Sequence, residues 1–241
     1  MRINSNLRSR AGGTGCVLIA ALFLLAFGLF FTFFIAPKQK VEANRIDRLP
    51  LMSADQVGVA AAGDDFLITG HLGNNTVLDV GEFVAYEVEI WRVKFPSSDD
   101  SDSKPTGSWT SEKGVVPDLN LDVGGQVVQI LQNDRAKLSG PLHEVIIKGT
   151  SANKARYDGD WLSEGSQRYQ GFYDGDLVTV LGVKTVSTDL IPDQYFAGDR
   201  VAFEQDQQNQ AKVFLIAGIC MIVLALVILI SRFFSSIFGK R

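Results

Sequence analysis

Few residues in this chain could do chemistry. The 241 residues include two histidines, His71 and His143, and two cysteines, Cys16 and Cys220. Both cysteines fall inside uncharged apolar runs, so the rest of the chain has no thiol for disulfides, nucleophilic attack or metal binding. A zinc site would need both histidines plus a carboxylate, and neither H-E-x-x-H nor a paired-cysteine knuckle occurs. His71 ends one candidate strand and His143 begins another, which puts both at the surface or a core edge. There is no G-x-S-x-G elbow and no Walker loop, and no strand leads into the glycine-rich Gly12-Gly13-Thr14-Gly15. Asp99, Asp100 and Asp102 lie in the run from Ser97 to Ser103, which lacks the glycine turn and terminal glutamate of a calcium loop and reads as a surface loop. The repeated Tyr-Asp-Gly-Asp at Tyr157 and Tyr173 reads as turn chemistry. Acids are plentiful, so a carboxylate pair for glycoside hydrolysis is a question of geometry alone. The sequence therefore assigns no catalytic, cofactor-binding or metal-ligating residue, and no cofactor.

The elements that carry these residues are set out by charge and hydropathy. All 27 acids lie between Pro37 and Lys212, with 17 Lys/Arg, a formal −10 for that stretch. The ends hold Arg2, Arg8 and Arg10, and Arg232, Lys240 and Arg241, with no acid. An acidic middle is unsuited to nucleic-acid phosphates. Gly15 to Ala36 is an uncharged run of 22 residues, and Val213 to Ile230 another of 18. As helices, 22 residues reach about 33 Å, enough for a hydrocarbon core of roughly 30 Å. The first run exceeds a signal-peptide core and no small-x-small cleavage site follows it, so it reads as a retained anchor. Neither span contains proline or an ionisable group other than its cysteine, and no small-xxx-small pair marks a helix-packing face. A pair of anchors is the expectation, with the basic flanks in the cytoplasm and the domain between them outside. Phe233, Phe234, Ile237 and Phe238 would share a face, as an interfacial helix or a frayed helix end.

The expected organisation is a cytoplasmic tail (1–14), first span (15–36), juxtamembrane stalk (37–62), extracytoplasmic all-β domain (63–203), polar helical lead-in (204–212), second span (213–231) and cytoplasmic tail (232–241). Candidate strands are Phe66 to Leu72, Phe83 to Val93, Asp118 to Leu121, Gln126 to Leu131, Glu144 to Lys148, Arg168 to Gly171, Leu177 to Val183 and Arg200 to Phe203. In the clearest, Val84, Tyr86, Val88 and Ile90 share one face, and Glu87 and Glu89 the other. Short strands divided by Gly/Asp/Asn turns predict a mainly β fold, a small barrel or sandwich flanked by two transmembrane helices.

The arrangement resembles the GIDE family of mitochondrial ubiquitin ligases and their prokaryotic relatives, whose domain is also called "beside a membrane". The resemblance rests on Phe66-Leu-Ile-Thr-Gly-His-Leu72, Gly81 to Ile90, Gly107-Ser-Trp109, Asp118 to Asp122, Gly125 to Gln129, and Arg168-Tyr169 leading into Asp174 to Gly182. The family's ligases carry a RING after the second span, and no Cys or His follows it here, so ligase activity is not implied. Gln170 stands where the family pattern has an acid. Two functions are then expected. One is a non-enzymatic, double-anchored protein of a bacterial-type cell membrane, in contact with the bilayer, whose outer domain binds a protein partner or serves in a membrane complex. The other is an envelope enzyme acting on glycan or cell-wall substrate through paired carboxylates.

Overall fold

The structure is a computed structural model, and it describes residues 8–96, 104–187 and 189–238. The chain divides into two compact units, one formed by Met1–Arg48 with Glu204–Arg241, the other by Leu49–Phe203.

The first unit is a helix pair. Helix α1 (Arg8–Phe30) passes through a π-turn (Phe31–Ile35) into α2 (Ala36–Arg48) without a break. Its partner is α4 (Arg200–Phe238), whose 39 residues span about 58 Å at 1.5 Å each. Both helices contain windows long and apolar enough to cross a membrane, and both continue well past them. Residues Phe233 to Phe238 are the last residues of α4. On α4, Ala211, Phe214, Gly218, Met221, Ala225 and Ile228 alternate steps of three and four, a heptad seam, with Gly218 and Ala225 buried. On the other helix the buried small residues are Ala21, Gly28, Ala36 and Ala43, spaced seven, eight and seven. The eighth residue falls at the π-turn, whose wider winding absorbs it and keeps the seam on one side. A methyl on Gly28 would meet Ile222 Cγ1 at 2.7 Å, and one on Gly218 would meet the Thr32 hydroxyl at 2.4 Å. Phe31 stacks on Phe214, ring centroids 6.0 Å apart. The anchors thus do have a packing face. The expectation of no such face is thereby corrected: its buried small residues recur about every seven positions, and Gly28, Thr32 and Ala36, four apart, lie along it.

In the second unit, β1 (Asp65–Leu72) pairs with β11 (Leu177–Lys184) and β4 (Leu119–Val123), and β4 with β5 (Gln126–Ile130). Strand β12 (Leu190–Ala197) lies antiparallel to β11 and meets β5 in parallel at Leu190↔Ile130, which closes a five-stranded barrel. Numbered along the chain, its strands neighbour one another as 1-2-3-5-4-1, a Greek-key barrel of the OB type. Phe66, Ile68, Leu121, Ile130, Val178, Val180 and Tyr195 fill the barrel and its mouth. Strand β6 (Lys137–Ser139) adds to β12 in parallel.

Two excursions from the barrel build a second sheet. Strands β2 (Phe83–Lys94) and β3 (Thr106–Val115) come from the first, between β1 and β4. Strands β7 (His143–Ile147) and β10 (Gln167–Tyr173) come from the second, between β5 and β11, giving the order β3-β2-β10-β7. The second excursion also carries the hairpin β8 (Lys154–Tyr157) and β9 (Asp160–Ser163).

Mainly β with a small barrel and two long apolar helices is therefore what the structure shows. Several local expectations are corrected. Arg200 to Phe203 begins α4 instead of forming a strand, because Asp199 caps the helix through its Oδ1 to the Ala202 N–H (2.8 Å). The true last strand, β12, contains Pro192 and so lacks a strand's usual look; the proline is tolerated opposite a register shift at Leu181/Gly182. Strand β3 has too few apolar residues to show alternation. Residues 49–62, assigned to the stalk, lie in the compact β unit: Met52 N–H bonds Leu67 O at 2.8 Å, and Val57, on α3 (Ala54–Val59), enters the core. The expected surface loop at 97–103 lies outside the described residues.

Candidate functional site

Two histidines and two acids converge on one turn. His71 Nδ1–H donates to Gly175 O (3.0 Å), and His143 Nε2 lies 3.2 Å from Asp176 Oδ1 with its ring stacked on Tyr173 at 4.1 Å. Asp174 accepts from the Asn74 and Asn75 N–H groups (both 3.2 Å), and Asp176 from Tyr173 N–H (2.8 Å). Each of these groups holds the turn that passes the chain from the second sheet into the barrel. Among the described residues no three His, Cys, Asp or Glu are grouped to hold a metal. The repeated Tyr-Asp-Gly-Asp makes turns in both places, with different jobs. Asp158 and Gly159, both at positive φ, close the β8–β9 hairpin, whereas Asp174-Gly175 joins strands of different sheets.

A cleft of about 260 Å³ in the second sheet's neighbourhood does gather carboxylates: Glu87, Glu89, Glu112 and Asp134. Each is already engaged. Glu89 pairs with Arg168, Glu112 lies 3.6 Å from Arg92, and Asp134 binds Lys113 at 2.7 Å. Glu87 accepts the Leu138 N–H at 3.1 Å. The Lys113 and Gln132 hydrogen bonds hold Asp134 below the ordinary carboxylate range, the reverse of what a general acid needs. Geometry brings acids together here and then neutralises them.

The sheet containing this cleft has two unlike faces. On one, Trp91, Trp109 and Tyr157 pack with ring centroids 5.1–5.4 Å apart, under the β8–β9 hairpin. Arg168 crosses this cluster. Its Nε donates to Glu89 Oε2 at 2.7 Å, its Nη2 donates to the same oxygen, and its Nη1 donates to Tyr157 OH at 3.1 Å. The guanidinium lies 4.8 Å from the Trp109 ring. Burial opposes its charge, yet the Glu89 hydrogen bond and field carry its pKa above the ordinary value. The indole nitrogens of Trp91 and Trp109 are buried without a hydrogen-bond partner among the described residues.

The other face follows from register. Val88 lies opposite Tyr169, which lies opposite Val145; Ile90 lies opposite Gln167, which lies opposite Ile147. With Tyr86, these form an apolar row across three strands, centred on buried Tyr169, which Tyr86 meets edge-on at 5.3 Å. Tyr86, Val88, Ile90 and Val145 are only half-buried, and Ile147 is 47% exposed. Burial, then the fields of Tyr169 and Asp79, raises the Tyr86 pKa, which keeps its hydroxyl neutral. Both outer strands, β3 and β7, have one paired edge each among the described residues. The alternation Val84-Tyr86-Val88-Ile90 is the sequence signal for this row; what the sequence lacks is that Val84 enters the core while Val88 and Ile90 do not.

Comparisons with protein-family models, with curated proteins and with solved structures find no match to this chain.

Proposed function

We propose that the chain is a non-enzymatic, double-anchored membrane protein whose β domain stands outside a bacterial-type cell membrane and binds a protein partner, as a subunit of a membrane complex. The half-exposed apolar row of Tyr86, Val88, Ile90, Val145 and Ile147, on a sheet whose outer strands each have one unpaired edge among the described residues, carries this reading. Monomeric soluble surfaces keep such residues scattered, and contiguous apolar patches rimmed by polar residues mark interaction sites. Open edges offer backbone hydrogen bonds that a partner strand can extend. The acid-free basic flanks favour cytoplasmic termini. The residues resembling the GIDE family fit a β domain held beside a membrane.

The test is gentle crosslinking of the full chain in its native membrane, followed by purification in mild detergent. A discrete adduct containing a second polypeptide is expected. A strict monomer with no associated protein would contradict the proposal. Reporter fusions at each terminus test the topology separately: activity there of a reporter that works only outside the cytoplasm would reverse the orientation.

A further inference from the structure

The helix pair contains a groove of about 490 Å³ that the partner-binding reading does not use. Thr32, Ala36 and Leu215 form its apolar part, and Lys40, Asn44, Gln208 and Lys212 its polar part. It straddles the end of the first apolar run, at Ala36-Pro37, and the start of the second, at Lys212-Val213. Its volume exists because the seam there is lined by alanines, Ala36, Ala43 and Ala211, beside the π-turn. No carboxylate lines it. The nearby acids are turned to other groups: Glu42 pairs with Arg45 at 2.8 Å, and Asp206 accepts from Gln210 at 2.8 Å. Two ammonium groups, one from each helix, thus border an apolar slot at headgroup depth. The Thr32 hydroxyl below it is buried against Gly218, without a hydrogen-bond partner among the described residues.

We propose that this groove holds one anionic phospholipid of the leaflet on the β domain's side, a reading that rests on the chain being a membrane protein. Lys40 and Lys212 flank the phosphate, and Asn44 and Gln208 bond the headgroup. The acyl chains run on past Ala36 and Leu215 into hydrocarbon. A soluble acidic peptide would satisfy the lysines but leave the apolar slot unfilled. A zwitterionic lipid would fill the slot, but its own cationic headgroup would compete with them. Basic residues at the surface of an anionic membrane each favour binding about fivefold, so the pair favours an anionic over a zwitterionic lipid by about 25-fold.

The experiment uses the full chain in nanodiscs of equimolar phosphatidylglycerol and phosphatidylcholine, transferred to mild detergent, with retained lipid read by native mass spectrometry. One phosphatidylglycerol per chain is expected to persist. Lys40→Gln and Lys212→Gln should each lower the preference about fivefold, and the double variant about 25-fold. Lys38→Gln, outside the groove, should leave it unchanged, and the double Lys→Arg variant should keep it. Circular dichroism checks that each variant is folded. Equal retention of the two lipids by the wild-type chain, an unchanged preference in the folded double glutamine variant, or displacement of the lipid by millimolar inorganic phosphate would each overturn the proposal. Failure of the chain to enter nanodiscs at all would instead refute the membrane reading beneath it.

Discussion

The two faces of the four-stranded sheet are built from the same strands and solved in opposite ways. One is closed: Arg168, the only cation over the Trp91–Trp109–Tyr157 cluster among the described residues, is tied to Glu89 and Tyr157, and a hairpin covers the rings. The other is left half-open: among the described residues, no such cover lies over Tyr86, Val88, Ile90 and Ile147. Alternation along a strand divides its side chains between these fates, so from Tyr86 to Trp91 successive residues of β2 turn to the half-open and the closed face in turn. The closed face should therefore be sensitive to substitution in stability, and the open face in binding.

The largest expected effect lies on the closed face. Arg168→Met strands the part-buried Glu89 carboxylate and should destabilise the chain by about 3 kcal/mol in urea unfolding. A loss under about 1 kcal/mol would erase the contrast between the faces. On the open face, Ile90→Ser removes a half-buried side chain and should cost about 1 kcal/mol. The same change should abolish the partner adduct, which Arg168→Met tests only through stability.

The remaining predictions sharpen the closed side. Among the described residues the buried indole nitrogen of Trp109 has no acceptor, so Trp109→Phe removes an unpaired donor. It should change stability by less than about 1 kcal/mol, well below the Arg168 effect, because lost ring area is offset by the lost unpaired donor. At the cleft's rim, Lys113 lowers the Asp134 pKa from the ordinary 3.8. A lowered folded-state value gives stability that is present above that ordinary pKa and is lost as pH falls below it through the lowered value. Asp134→Asn should remove this acid-side loss, leaving a melting temperature that depends slightly less on pH below 4; an unchanged profile would show the pair to be silent.

Much of this architecture is legible in the chain itself. Strands β1, β2, β5 and β11 announce themselves by alternation and Gly/Asp turns, and both spans by length and lack of charge. Legibility fails where tertiary context outweighs local pattern. Pro192 disguises β12, and Val201-Ala202-Phe203 looks like a strand although the cap at Asp199 starts a helix. The helix seam is easily overlooked because Gly28, Thr32 and Ala36 sit among large apolar residues and the heptad is shifted by the π-turn. The open face is the instructive case. Tyr86, Val88 and Ile90 carry the mark of a core face, and only the order β3-β2-β10-β7 shows that they point away from the barrel's contents. The His71 and His143 contacts with one turn join residues far apart in the chain, which no local motif could show.

The central claim is that the open face, and not the domain surface at large, meets a protein partner. A photoreactive amino acid at Ile147 (47% exposed), compared with one at the more accessible Val127 on the barrel (63% exposed), tests it most directly in the native membrane. The account predicts a light-dependent adduct with one polypeptide from position 147 and none from 127. Adducts of the same size and yield from both positions, or from neither, would contradict it.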